Sequence, residues 1–391
     1  MGILNKNEQA RFDAELSIIK PQLLKARWDE NQVLHRRRFA PALMAPSFTL
    51  EYCPHFPLAI IQFVGDDESL ITALDHAIPW ADTEDGGLDV PFVYSTNGCS
   101  FQEYNTVTHQ KRFLGLPDFP SPISLWNRCT YYKGIRPALA VKLPASWDGL
   151  CRQRSPRHFE ATALRRIVES ILTGSRRMSL TIGAPGSSHF LAARLFAHLW
   201  RERLAKRFLF LTNWDSLLWN EILQHFGAPD QVEIDNLLLR PEVSEDNAHL
   251  VVPAAKNLEA SLYEFPPDYF EVVAVDEFQR FDDVADEDLK KLLAHFCPAI
   301  QVGFSCHPLQ SDQNWFGKTI YQYTIRHWEK DGFRPDLSVL LREKLDRIPS
   351  PYSSAGPLPY RSWDLARDAA PARPFPLPNT EALAGTRVFP K

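Results

Sequence analysis

Between residues 157 and 304 the chain alternates short apolar runs with segments of helical periodicity, and this restricts its fold more than any other feature. Helical spacing over 158–173 is stopped by Gly174. A strand over 178–182 follows, then the loop Gly183-Ala184-Pro185-Gly186-Ser187-Ser188, a helix over 189–204, a strand over 207–212 and a helix over 215–226. Further on come a strand over 271–275, a helix near 286–296 and a strand over 299–304. Near-continuous apolar strands joined by helices predict a doubly wound parallel sheet, an α/β lobe buried on both faces. Ligands on such sheets sit at the carboxyl ends of the strands. The loop 183–188 lies at one such end. The adjacent carboxylates Asp276 and Glu277, with Arg280 shortly after, close the apolar run 270–275 at another.

Upstream, residues 8–27 read as an amphipathic helix with Phe12, Leu16, Ile19, Leu23 and Leu24 on one stripe. Apolar stretches at 48–52, 57–64 and 90–94, with helical spacing around 70–80, make a small α/β domain over 1–135. Residues 136–156, carrying Pro137, Pro144 and Pro156, read as a linker, and the doubly wound lobe as 157–343. Nine of the 31 prolines fall in 345–391, which cannot build regular ladders, so 344–391 is expected to be a disordered tail.

A formal net charge of −5 argues against binding nucleic acid through overall charge. Local basic clusters remain. Arg36, Arg37 and Arg38 form one, and Arg152, Arg154, Arg157, Arg165, Arg166, Arg176 and Arg177 form a second that could contact DNA phosphates if it makes one face. The six cysteines include no CxxC pair, so a reduced, cytoplasmic protein without a metal site is expected. The polar N-terminus is not a signal peptide, and no apolar run approaches the ~20 residues a membrane span needs.

The order of several segments resembles the R (motor and nuclease) subunit of type I restriction enzymes. They are residues 56–61, 91–98, 183–188, 206–211, 272–277 and 300–304, and a further stretch from Phe316-Gly317 to Asp331-Gly332-Phe333. The resemblance spans about 8–343 and implies a restriction-nuclease-like domain followed by one RecA-like, helicase-type lobe. The family's nuclease site is an Asp on one strand and Glu-x-Lys on the next, holding Mg²⁺ and orienting water. The matching positions here are Ser47, Gln62 and Val64, so no cleavage is expected. Asp66 and Asp67 lie beyond the register and read as loop residues.

The family's phosphate loop, Gly-x-Gly-Lys-Thr, cradles phosphate with backbone N–H groups, a lysine and a Mg²⁺-binding hydroxyl. Here Gly186 and the Ser188 hydroxyl match, Ser187 replaces the lysine, and Pro185 removes one N–H. Glu160 stands at the adenine-sensing Gln, Ser305-Cys306-His307 at Thr-Ala-Thr, and Asp276-Glu277-Phe278-Gln279 at Asp-Glu-x-His. In the family such an acid pair holds Mg²⁺ and polarises the attacking water. Here it reads as a retained strand-end pair, solvated or matched by Arg280. These motors also draw an arginine from a second lobe, for which too few residues follow 304, so the chain reads as a degenerate, truncated relative.

The leading expectation is a non-catalytic binding or scaffolding element of a DNA restriction or phage-defence complex, needing no cofactor or metal. DNA and the methylation and specificity subunits are its expected partners. The enzyme alternative is an ATP-dependent DNA-translocating or DNA-cleaving subunit that uses ATP and Mg²⁺ and is completed by a partner chain. A decaying gene product is the third reading.

Overall fold

The computed structural model describes residues 6–35, 47–64, 69–81, 89–143, 156–184, 187–212, 232–235, 248–252, 262–276, 278, 286–308 and 315–331. The expected helix over 215–226, the basic run Arg36–Arg38, Asp66, Asp67 and the Pro-rich stretch 344–391 lie outside these residues. Helix α1 (Lys6–Lys25) opens the described chain. Ile19 and Leu23 are buried and Leu16 partly so, but Leu24 is half exposed, so the apolar stripe is narrower than its spacing predicts.

The first sheet contains β1 (Val33–His35), β2 (Phe48–Cys53), β3 (Phe56–Phe63), β4 (Phe92–Thr96), β5 (Ser100–Asn105) and β6 (Lys111–Gly115), paired in that order. Its ladders are antiparallel except β3–β4, which is parallel because α2 (Leu70–Ala81) carries the chain back between them. Side chains alternate across the sheet. Ile60 and Val93 meet Leu74 and Ala77 of α2, while Ala59, Ile61, Phe92 and Tyr94 face the opposite core. Strands β5 and β6 and helix α3 (Pro122–Tyr132) have no counterpart in the apolar pattern. β5 alternates polar and apolar residues and is held by its neighbours: Glu103 accepts hydrogen bonds from Tyr94, Arg112 and Arg128. Burial raises the Glu103 pKa, but these three donors outweigh it and hold the carboxyl below its usual range.

A short helix α4 (Pro137–Ala140) follows. Residues 136–143, read as the start of a linker, are packed: Ala140 and Leu143 are buried, and Lys142 Nζ donates to Glu202 O at 2.6 Å. Next come α5 (His158–Leu172), β7 (Arg177–Ile182), α6 (Ser187–Arg201), β8 (Arg207–Leu211), β9 (Val232–Asp235), β10 (Ala248–Val251) and β11 (Val272–Val275). Helix α7 (Asp286–His295), β12 (Ile300–Ser305), β13 (Thr319–Tyr323) and α8 (Ile325–Lys330) complete the described elements. The strands form one sheet in the order β13-β7-β12-β11-β8-β10-β9, with every ladder parallel.

This sheet is wound on both faces. Phe208, Phe210, Val272 and Ala274 point into the core that contains α5 and α6, whereas Leu209, Leu211, Val273 and Val275 meet Leu292, Leu293 and Phe296. Residues 1–336 form one compact unit containing both sheets. Helix α5 is buried nearly all round, which explains why its polar residues Glu160, Arg165 and Glu169 must be partnered inside the protein. Phe159 at its start stacks on Tyr323 at 4.1 Å.

Candidate functional site

The three nuclease-like positions converge at the carboxyl end of β3. Ser47 Oγ accepts the Phe63 N–H at 3.0 Å, and Gln62 Nε2 donates to Phe63 O at 3.0 Å. Val64 is buried, with its N–H on Thr96 O. Neighbouring Ser95 donates to Leu70 O. A hydroxyl, an amide and an isopropyl group meet here, none of them the anionic oxygen that a hard divalent cation prefers, and the hydroxyl and the amide N–H are engaged with the backbone of Phe63.

At the second sheet, β7 ends at Ile182 and the chain turns at Gly183. The Gly183 N–H donates to Tyr323 O at 2.7 Å, and a Cβ there would meet the backbone N of Ile325 at 2.6 Å. Only glycine lets the loop pass this close to the start of α8. Pro185, Gly186 and Glu277 lie outside the described residues. Ser187, at the lysine position, is buried as α6 begins, and its hydroxyl donates to Glu160 Oε1 at 3.1 Å. Glu160 Oε2 accepts the Arg157 N–H at 2.8 Å and so caps α5. Glu160 thus joins the starts of two helices. Ser188 is half-buried next to Ser187.

Asp276 follows β11 and is 2% exposed, with its N–H on Leu211 O. Two residues outside the acid motif reach it. His189 Nε2 lies 3.0 Å from Asp276 Oδ2 and 3.2 Å from Thr212 Oγ1, and Thr212 donates to the same carboxylate oxygen at 3.3 Å. Asp276 Oδ1 is buried without a hydrogen-bond partner among the described residues. Thr212 could have been noticed as the polar residue ending an apolar strand. Nothing in the local pattern of His189 separates it from any other residue in the first turn of a helix.

The described residues of this site offer a magnesium nucleotide no free cation. Among the described residues, the Ser187 hydroxyl at the start of α6 is turned onto the Glu160 carboxyl, and one oxygen of Asp276 is already shared by an imidazole and a hydroxyl.

The second arginine cluster divides. Arg165 is 2% exposed, donating to Pro57 O, Asp89 O and Asp89 Oδ2. This corrects its reading as a phosphate contact: a guanidinium enclosed by the junction of the two sheets has no surface to offer. Arg166 is half-buried on Asp89 Oδ1 at 2.6 Å. Arg157 lies over the Trp328 ring. Arg176 and Arg177 are exposed at the start of β7, the first bonded to Pro298 O and the second over Trp315. Arg152 and Arg154 lie outside the described residues.

A seven-stranded parallel sheet with a strand–loop–helix turn and an acid at neighbouring carboxyl ends makes a RecA-like doubly wound lobe, here joined to a smaller mixed α/β sheet. The comparisons agree. No family profile matches the chain. Over 366 residues it is 24% identical to an Escherichia coli protein described as a type I restriction enzyme EcoAI endonuclease subunit, covering 87% of this chain and 45% of that protein. Its fold matches a fragment of an HsdR subunit of a type I restriction enzyme from Vibrio vulnificus YJ016, with a TM-score of 0.65 and 22% identity over 82% of this chain and 61% of that one. The chain is a homologue of type I restriction endonuclease subunits and spans less than half the length of the E. coli relative. Among the described residues, no helix is long and apolar enough to cross a membrane.

Proposed function

We propose that the chain is a non-catalytic, R-subunit-like element of a DNA restriction or phage-defence complex in the cytoplasm, binding or scaffolding rather than moving or cutting DNA. The observation that carries this reading is the pairing of Asp276 with His189 and Thr212, alongside the turning of Ser187 toward Glu160. Phosphoryl transfer depends on positioned positive charge around the phosphates. Here the available imidazole is engaged by the strand-end acid, and the lysine position carries a neutral hydroxyl. The uncharged set Ser47, Gln62 and Val64 supports the same reading for the first sheet. DNA and the methylation and specificity subunits are the proposed partners. The test is ATP hydrolysis by the purified chain, with and without duplex DNA. No turnover above the blank is expected, and turnover that Asp276→Asn abolishes would refute the reading. Co-purification from the native host should bring down methylation and specificity subunits.

One observation favours a second reading, an ATP-dependent subunit completed by a partner chain. Asp276 Oδ1 is a buried acceptor left open, and a cation delivered from elsewhere could use it. Magnesium-dependent ATP turnover that appears only when partner subunits are added would favour this reading.

A further inference from the structure

The first sheet is open at β6, which among the described residues forms a ladder with β5 alone. The turn before β6 fixes which of its groups are open. Asn105 donates its N–H to Gln110 O at 3.0 Å, so along the antiparallel ladder Arg112 and Leu114 bond to β5, while Lys111, Phe113 and Gly115 turn their backbone groups outward. The side chains of Lys111 and Phe113 lie on the α2 face of the sheet, with Val93 and Tyr104. There Lys111 pairs with Asp75 of α2, Phe113 is 65% exposed, and Ile71, one helical turn before Asp75, is 57% exposed.

Open N–H and C=O groups beside exposed apolar side chains template another strand unless free charge guards the edge. Both cations of this edge are folded back onto their own chain, Lys111 to Asp75 and Arg112 Nε to Glu103 Oε1 at 2.7 Å. The edge is also complementary to itself. The outward-facing residues lie evenly about Phe113, so an antiparallel second copy sets Phe113 opposite Phe113, Lys111 opposite Gly115 and Arg112 opposite Leu114. The two Phe113 residues then exchange both backbone bonds, and the Gly115 N–H reaches the mate's Lys111 O. Slipping the register two residues toward the hairpin turn would instead oppose the two Arg112 side chains. In the Phe113-centred register the charges match. Gly115 has no side chain, and the exposed Asp118 carboxylate fills the space: a Cβ on Gly115 would lie 3.1 Å from Asp118 Oδ2. Residues directly opposite each other point to the same face, so Asp118 stands beside the mate's Lys111 at each end of the pairing.

We propose that β6 pairs antiparallel with β6 of a second copy of this chain, about a two-fold axis at Phe113, so that the two first sheets become one continuous sheet. Size-exclusion chromatography of the full chain with light scattering, over a dilution series, tests this. A dimer that dissociates on dilution is expected. Phe113→Lys and Phe113→Glu should each raise its dissociation constant at least about tenfold, through lost apolar burial and like charges meeting on the axis. Phe113 is exposed, so the thermal melting of the dilute monomer should not change. An equimolar mixture of the two variants should recover the dimer, because the lysine of one chain then faces the glutamate of the other. Asp118→Lys, which opposes Lys111, should weaken the wild-type dimer. The proposal is overturned if the chain is monomeric at about 100 µM, if Phe113→Lys leaves the dimer as tight as before, or if the mixture stays as dissociated as its components. A chain that dimerises only on duplex DNA overturns it as well.

Discussion

Replacing Arg165 with glutamine decides whether that arginine staples the protein together or serves DNA. The wild-type guanidinium donates to Asp89 Oδ2 and Asp89 O at 2.6 Å and to Pro57 O at 3.2 Å, and sits 5.1 Å from the Phe56 ring centroid. Burial opposes ionisation of Asp89, but Arg166 and Arg165 outweigh it and hold its carboxyl below the usual range. Without Arg165, the buried carboxylate keeps Arg166 as its close ion-pair partner, and two backbone carbonyls lose their donor. Removing one partner of a buried ion pair costs about 3–5 kcal/mol. Glutamine can recover one carbonyl contact, so a loss of about 4 kcal/mol is expected, a large share of the ~5–15 kcal/mol that holds a typical domain. Urea denaturation followed by tryptophan fluorescence measures it. Asp89→Asn and the double variant complete a cycle whose coupling should exceed ~1.5 kcal/mol. A loss below ~1 kcal/mol in Arg165→Gln, with weakened DNA binding at unchanged stability, would refute the burial argument.

Three further outcomes are expected. Burial, against the hydrogen bond His198 donates to Lys142 O and with help from Arg201, holds the His198 imidazole at about 4. The unfolded chain therefore takes up a proton near 6.5 that the folded chain refuses until about 4. Stability is full above that window and falls by on the order of 3 kcal/mol as pH drops through it, and His198→Gln should flatten this part of the pH–stability curve. In Gly303→Ala the new Cβ would meet Phe316 at 2.7 Å and Phe278 at 2.8 Å, so thermal melting should show a loss of about 1–3 kcal/mol from overpacking. If DNA lies along the start of β7, replacing exposed Arg176 and Arg177 with alanine should lower the slope of log affinity against log salt by about 2, and an unchanged slope would exclude that face.

What the sequence by itself determined is local and periodic. Apolar runs such as 207–211 and 272–275 must alternate faces along a strand, and helices between them force parallel pairing, so the doubly wound sheet and the strand-end positions of Ser187 and Asp276 could be read directly. That Ser47, Gln62 and Val64 carry no charge is plain from the sequence alone, because residue type needs no coordinates. Strands β5, β6 and β13 were not legible, since their polar residues are stabilised by neighbouring elements rather than by a pattern of their own. Only the tertiary structure joined His189 of α6 and Thr212 after β8 to Asp276 after β11, turned Ser187 onto Glu160, and drew Arg165 inside to meet Asp89. A charged side chain reads as surface until a partner far along the chain neutralises it. Whether that partner lies within about 3 Å depends on how two sheets and the helix between them pack, a distance no local periodicity encodes.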